Sequence, residues 1–72
     1  MINTKALKKL MIDKEVGVAD IAETIGRSCS TASMKLNGRR DMTFDEAEKI
    51  QAVLGIHDED FAYYFMSHER EA

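Results

Sequence analysis

Residues 16–38 read Val16-Gly17-Val18-Ala19-Asp20-Ile21-Ala22-Glu23-Thr24-Ile25-Gly26-Arg27-Ser28-Cys29-Ser30-Thr31-Ala32-Ser33-Met34-Lys35-Leu36-Asn37-Gly38. Two short helical patterns share this stretch. Ile21, Ala22 and Ile25 fall on one face at helical spacing, which predicts a helix over 18–25. Gly17 stands at its N-cap, and Gly26 supplies the left-handed position that ends it. Ser28 is the natural N-cap of a second helix over 29–37, because its hydroxyl can accept a bond from an early helix amide. Ala32 and Leu36, four apart, face inward, and Gly38 ends the run. Cys29, Ser30, Ser33, Met34 and Lys35 are left as a polar, lightly basic outer surface. Two helices joined by so tight a turn cross steeply, and the second stays exposed along one side.

Working outward, Leu7, Leu10 and Met11 make the apolar stripe of a helix over 4–14, with Lys5, Lys8 and Lys9 off the stripe. On the other side, Thr43-Phe44-Asp45-Glu46 matches a capping box. Phe44, Ala47, Ile50, Val53 and Leu54 then recur at helical spacing up to Gly55. A last helix is expected over 58–67, opened by Asp58-Glu59-Asp60, where negative charge suits the macrodipole. Phe61 is its expected core residue. Proline is absent, and no period-2 run or β-branched cluster signals a strand. The reading is an all-α fold of five short helices, one domain over 1–67 with a frayed tail over 68–72.

The 72 residues leave no room for a second domain or for a ligand pocket of usual size. Cys29 is the single cysteine, so no internal disulfide forms. His57 and His68 are too scattered to complete a metal site. No Ser-His-Asp set, paired-carboxylate pocket or phosphate loop is present, so an enzyme is not expected. No apolar run approaches the ~20 residues that span a bilayer, and MINTKALKKL lacks the apolar region of a secretory signal. A cytoplasmic location follows as the expectation. The net charge is −3, but it is split. Residues 1–40 carry eight basic and four acidic side chains, residues 41–72 two and nine. Surface potential is local over a Debye length of about 8 Å, so the first part can face phosphate while the second faces away.

The stretch 16–38 resembles the helix-turn-helix of phage repressor and Cro proteins. The marks are Ile21-Ala22, Gly26, Ser28, Thr31 and the Asn37-Gly38 ending. Leu7 and Leu10 fit that family's first helix, and Phe44 through Leu54-Gly55-Ile56 fits its fourth, so nearly the whole chain is covered. The resemblance implies a lambda-repressor-like domain: a transcriptional regulator of phage or prophage type, without cofactor. Its second motif helix would enter the major groove of double-stranded operator DNA. Carried over by position, Cys29, Ser30, Ser33 and Met34 are the base contacts. Arg27, Ser28, Lys35, Asn37, Arg39 and Arg40 are the phosphate contacts. No base-contact residue offers the bidentate bonding of Arg or Gln, so direct readout should be modest, with DNA shape adding to it.

Two departures stand out. Family members often carry Gln at the first position of the first motif helix, where Val18 stands here. Many also bury an Arg–Glu pair at the positions of Met11 and Leu36; both are apolar here, an exchange that keeps the interior consistent. Tyr63, Tyr64, Phe65 and Met66 are more aromatic and sulfur-rich surface than one helix can bury, and they are read as a homodimer contact. The alternative is a protein-interaction module, antirepressor or antitoxin-like, working through the acidic and aromatic C-terminal half.

Overall fold

The computed structural model describes residues 2–66, and all of their regular structure is helical. The elements are α1 (Thr4–Lys14), α2 (Val18–Ile25), α3 (Cys29–Leu36), α4 (Phe44–Leu54), a 3-10 turn (Asp58–Asp60) and α5 (Phe61–Phe65). No strand occurs among the described residues.

Each boundary has a local cause. The Asn3 side-chain oxygen accepts the Ala6 amide at 3.2 Å and caps α1. The helix ends at Glu15, which takes the left-handed conformation (φ 59°) without being glycine. The Ser28 hydroxyl accepts the Thr31 amide at 3.2 Å to start α3. The box at α4 is reciprocal: Glu46 N–H donates to the Thr43 hydroxyl at 3.1 Å, and Thr43 N–H to the Glu46 carboxylate at 3.0 Å. The third helix stops one residue short of expectation, with Asn37 as its cap.

Gly26 ends α2 at φ 72°, and the Arg27 amide reaches back to the Ala22 carbonyl at 2.9 Å. A Cβ at Gly26 would meet no atom within 4 Å. Only backbone conformation requires glycine here. Gly26→Ala is therefore expected to destabilise the fold by about 1 kcal/mol with no loss of packing. Urea denaturation should show a lower midpoint at an unchanged m-value.

The core draws on every helix. Leu7, Ile21, Leu36, Ile50 and Leu54 are fully buried, and Met11, Ala22, Ile25, Ala32, Ala47, Ile56 and Phe65 complete the cluster. Met11 and Leu36, the apolar pair of the sequence reading, both lie inside. The second helix packs on α3 and α4, and α1 lies against α3, α4 and α5. Among the described residues no helix is long and apolar enough to cross a membrane.

Three expectations need correction. The last helix does not run as one piece from residue 58. Its first three residues form a 3-10 turn, and α5 covers only Phe61–Phe65; Ser67 and the expected tail over 68–72 lie outside the described residues. Phe65 is a core residue at 5% exposure rather than a dimer contact, and Phe61, half-buried, packs against that core. In α4 the buried face carries Glu46, Ala47, Ile50 and Leu54, which leaves Phe44 and Val53 exposed at its edges. The Phe44 ring rests edge-on against Phe61, centroids 5.5 Å apart, and Phe61 in turn contacts Phe65 at 4.8 Å.

Candidate nucleic-acid interface

The core contacts of α3 decide which side chains remain outside. Ala32, Lys35 and Leu36 turn inward. At about 100° per residue the opposite face carries Ser30, Ser33, Met34 and, at the cap, Asn37. Ser30 and Asn37 are exposed, and Ser33 and Met34 half-buried. Cys29 sits exposed at the first position of α3, on the rim of this face. Arg27 precedes the helix, and Arg39 and Arg40 follow it, all three exposed.

Two polar candidates are partly committed. The Ser28 hydroxyl accepts the Thr31 amide and donates to the Thr31 hydroxyl at 3.1 Å. The Asn37 side-chain amide donates to the Ser33 carbonyl at 2.8 Å and to the Ser33 hydroxyl at 3.3 Å. Neither side chain is idle surface.

Lys35 departs from its expected place. It is buried, and its ammonium lies 3.0 Å from the Glu46 carboxylate and donates to the Asp41 carbonyl at 2.7 Å. It therefore does not belong to the outer surface of α3, and the charged end that was assigned to phosphate is spent inside. The other Glu46 oxygen receives the Nε–H of Arg27 at 3.1 Å, while the Arg27 side chain stays 53% exposed.

Glu46 is the residue that sequence reasoning missed as part of this surface. It was legible as a cap, which accounts for one bond. Its two cationic partners come from the turn before α3 and from α3 itself, and no local pattern announces them. Burial alone would raise the Glu46 carboxyl. The Thr43 amide, the Lys35 ammonium and the Arg27 guanidinium outweigh burial and hold its pKa at about 2, below the ordinary 4.5.

That depression makes a stability prediction. Between the two pKa values the unfolded chain binds more protons than the folded one, so stability rises with pH there. The contribution is fully present above about pH 4.5 and is lost as pH falls toward 2. A shift of this size corresponds to about 3 kcal/mol between protonation states, and solvent at the Arg27 end trims it to about 2 kcal/mol. Urea denaturation of wild type and Glu46→Gln from pH 6 to pH 2 should show the gap between the two proteins closing on acidification. A constant gap would mean that the charge on Glu46 contributes nothing.

Elsewhere, Tyr63 and Met66 are exposed and Tyr64 half-buried, so part of the expected dimer surface is open. A surface cleft of about 550 Å³ lies between Ile2, Gly38, Arg40, Asp41, Met42 and Phe65. Arg40 and Asp41 are the only charged residues lining it among those described, and no converging set of polar side chains fills it. No group of three potential metal ligands occurs among the described residues.

The chain matches no known protein-family model, and no curated protein sequence matches it.

Proposed function

We propose that this chain is a sequence-specific DNA-binding transcriptional regulator of phage or prophage type. In this reading α2 and α3 are a helix-turn-helix, and α3 enters the major groove of operator DNA. The observation that carries the reading is the outer face of α3. A stripe of short polar and sulfur side chains, Ser30, Ser33 and Met34, is bracketed by exposed Arg27 at one end and Arg39 and Arg40 at the other. Arginines at both ends of a protruding helix suit the two phosphate backbones that flank a groove, while small side chains between them allow close approach to base edges. The resemblance of residues 16–38 to phage repressor and Cro proteins supports the same reading.

A homodimer belongs to the proposal, because two recognition helices about one helical turn apart would read a pseudo-palindrome. With Phe65 in the core, the contact falls to Tyr63 and Met66, with exposed Phe44 across a groove from Met66. Those same exposed residues favour a second reading, a protein-interaction module. Phe44 and Met66 among them line an apolar groove of about 180 Å³ that also involves Ile2, Met42 and Phe61.

The deciding experiment is fluorescence anisotropy with pooled random duplex DNA at two salt concentrations, followed by selection of the bound sequences. Salt-sensitive binding that enriches a palindrome is the expected result, and its half-site spacing would report the dimer. Absence of binding at low salt would overturn the DNA reading in favour of the protein-interaction module.

A further inference from the structure

The two arginine-bearing ends of α3 share one anchor. Glu46, buried at the start of α4, uses both carboxylate oxygens. One accepts Thr43 N–H at 3.0 Å and lies 3.0 Å from the Lys35 ammonium; the other accepts Arg27 Nε–H at 3.1 Å. Through Nε alone, Arg27 is oriented while its two terminal nitrogens remain available toward solvent. Lys35 carries the same anchor to the far end of α3. Its ammonium donates to the Asp41 carbonyl at 2.7 Å, and the Arg39 amide donates to the Met34 carbonyl at 2.8 Å. These two bonds fix the backbone on either side of Arg40.

Resting on the DNA-binding reading, we propose that Glu46 is the positioning residue of that surface. One buried carboxylate aims Arg27 before α3 and, through Lys35, holds the Arg39–Asp41 segment after it. Glu46 itself meets no phosphate. Its negative charge would repel one, so a direct electrostatic effect and a positioning effect have opposite signs. Removing the charge strengthens binding if only net charge matters. It weakens binding if the arginines lose their fixed geometry, since a charge-assisted bond made by a wandering side chain is bought back with entropy.

Glu46→Gln separates these outcomes, because glutamine keeps the capping box and the side-chain shape. Since that variant leaves the Lys35 ammonium buried without its counter-charge, Lys35→Met with Glu46→Gln serves as the second variant. It replaces the buried pair by groups that need no ionic partner. Both are measured on the full chain against the duplex selected by wild type, at fixed salt, with the folded fraction checked by circular dichroism. A second readout is the Arg27 Nε–H resonance in a nitrogen–proton correlation spectrum, which reports guanidinium placement without DNA. The expected result is an affinity about tenfold weaker in both folded variants, with the Arg27 resonance moved to the position of a free guanidinium. Affinity unchanged or tightened in a folded variant would overturn the proposal, as would an Arg27 resonance that stays put. Failure of wild type to bind any duplex is a different result. It removes the DNA reading itself, and the positioning role with it, whereas binding by wild type with indifferent variants removes only the role of Glu46.

Discussion

Phe65→Ala is expected to remove about 3–4 kcal/mol of folding stability. A chain of 72 residues has a thin core, and total stability for such domains is roughly 5–10 kcal/mol. The ring is 5% exposed and contacts Phe61 at 4.8 Å. It also closes the wall shared by the cleft beside Arg40 and the groove beside Phe44. Its helix is only five residues long and cannot stand alone, so the ring is the main apolar tie of α5 to the body. Asn3 supplies polar ties, its backbone amide donating to the Tyr64 carbonyl at 2.8 Å and its side-chain amide to the Tyr63 carbonyl at 3.5 Å. Tyr63→Ala, two positions earlier at 60% exposure, should change monomer stability by no more than about 0.5 kcal/mol. Urea denaturation checks the pair: a large drop in midpoint for Phe65→Ala at low protein concentration, and little change for Tyr63→Ala. Equal stability of the two variants would return Phe65 to an interface.

That contrast also marks what the sequence could reveal. Signals carried by neighbouring residues were legible: the Ser28 cap, the Thr43–Glu46 box and the glycine ends of α2 and α4 all stand where their chemistry put them. A cap involves residues three apart, and its geometry is fixed before any tertiary contact forms. The five helices follow from those signals and the apolar spacing between them. Phe61 and Phe65 are four apart on α5 and share one face, so spacing alone does not tell which ring sits deeper; Phe65 is buried, and Phe61 packs against the core beside it. Lys35 was misplaced for a different reason. On a helical wheel it lies beside Ala32, about 60° round on the side away from Leu36, and a lysine there reads as surface unless a buried acid is known to wait for it. That acid is Glu46, eleven residues on and in another helix, where the capping box already explained its presence. The outer face of α3 was legible as a set of residues; the bonds that hold its two ends were not.

On the proposed DNA-binding function, the double variant Arg39→Ala with Arg40→Ala is expected to bind duplex DNA about 100-fold more weakly than wild type near 0.1 M salt. Both side chains are exposed, and neither takes part in an ion pair among the described residues, so their charges are at the disposal of a ligand. Their removal leaves the core intact, and the Arg39 amide bond to Met34 does not depend on the side chain. Two lost phosphate contacts should also lower the slope of log affinity against log salt by about 1.8. The slope is the stronger test, because general damage to α3 would weaken binding without changing the number of counterions released. Anisotropy titrations from 50 to 200 mM salt give both quantities. A weaker complex with an unchanged slope would mean that neither arginine meets a phosphate. The next basic surface is α1, where Lys5, Lys8 and Lys9 are exposed away from the core stripe. In that outcome α1 would carry the electrostatic attraction, and α3 would contribute through its small polar face alone.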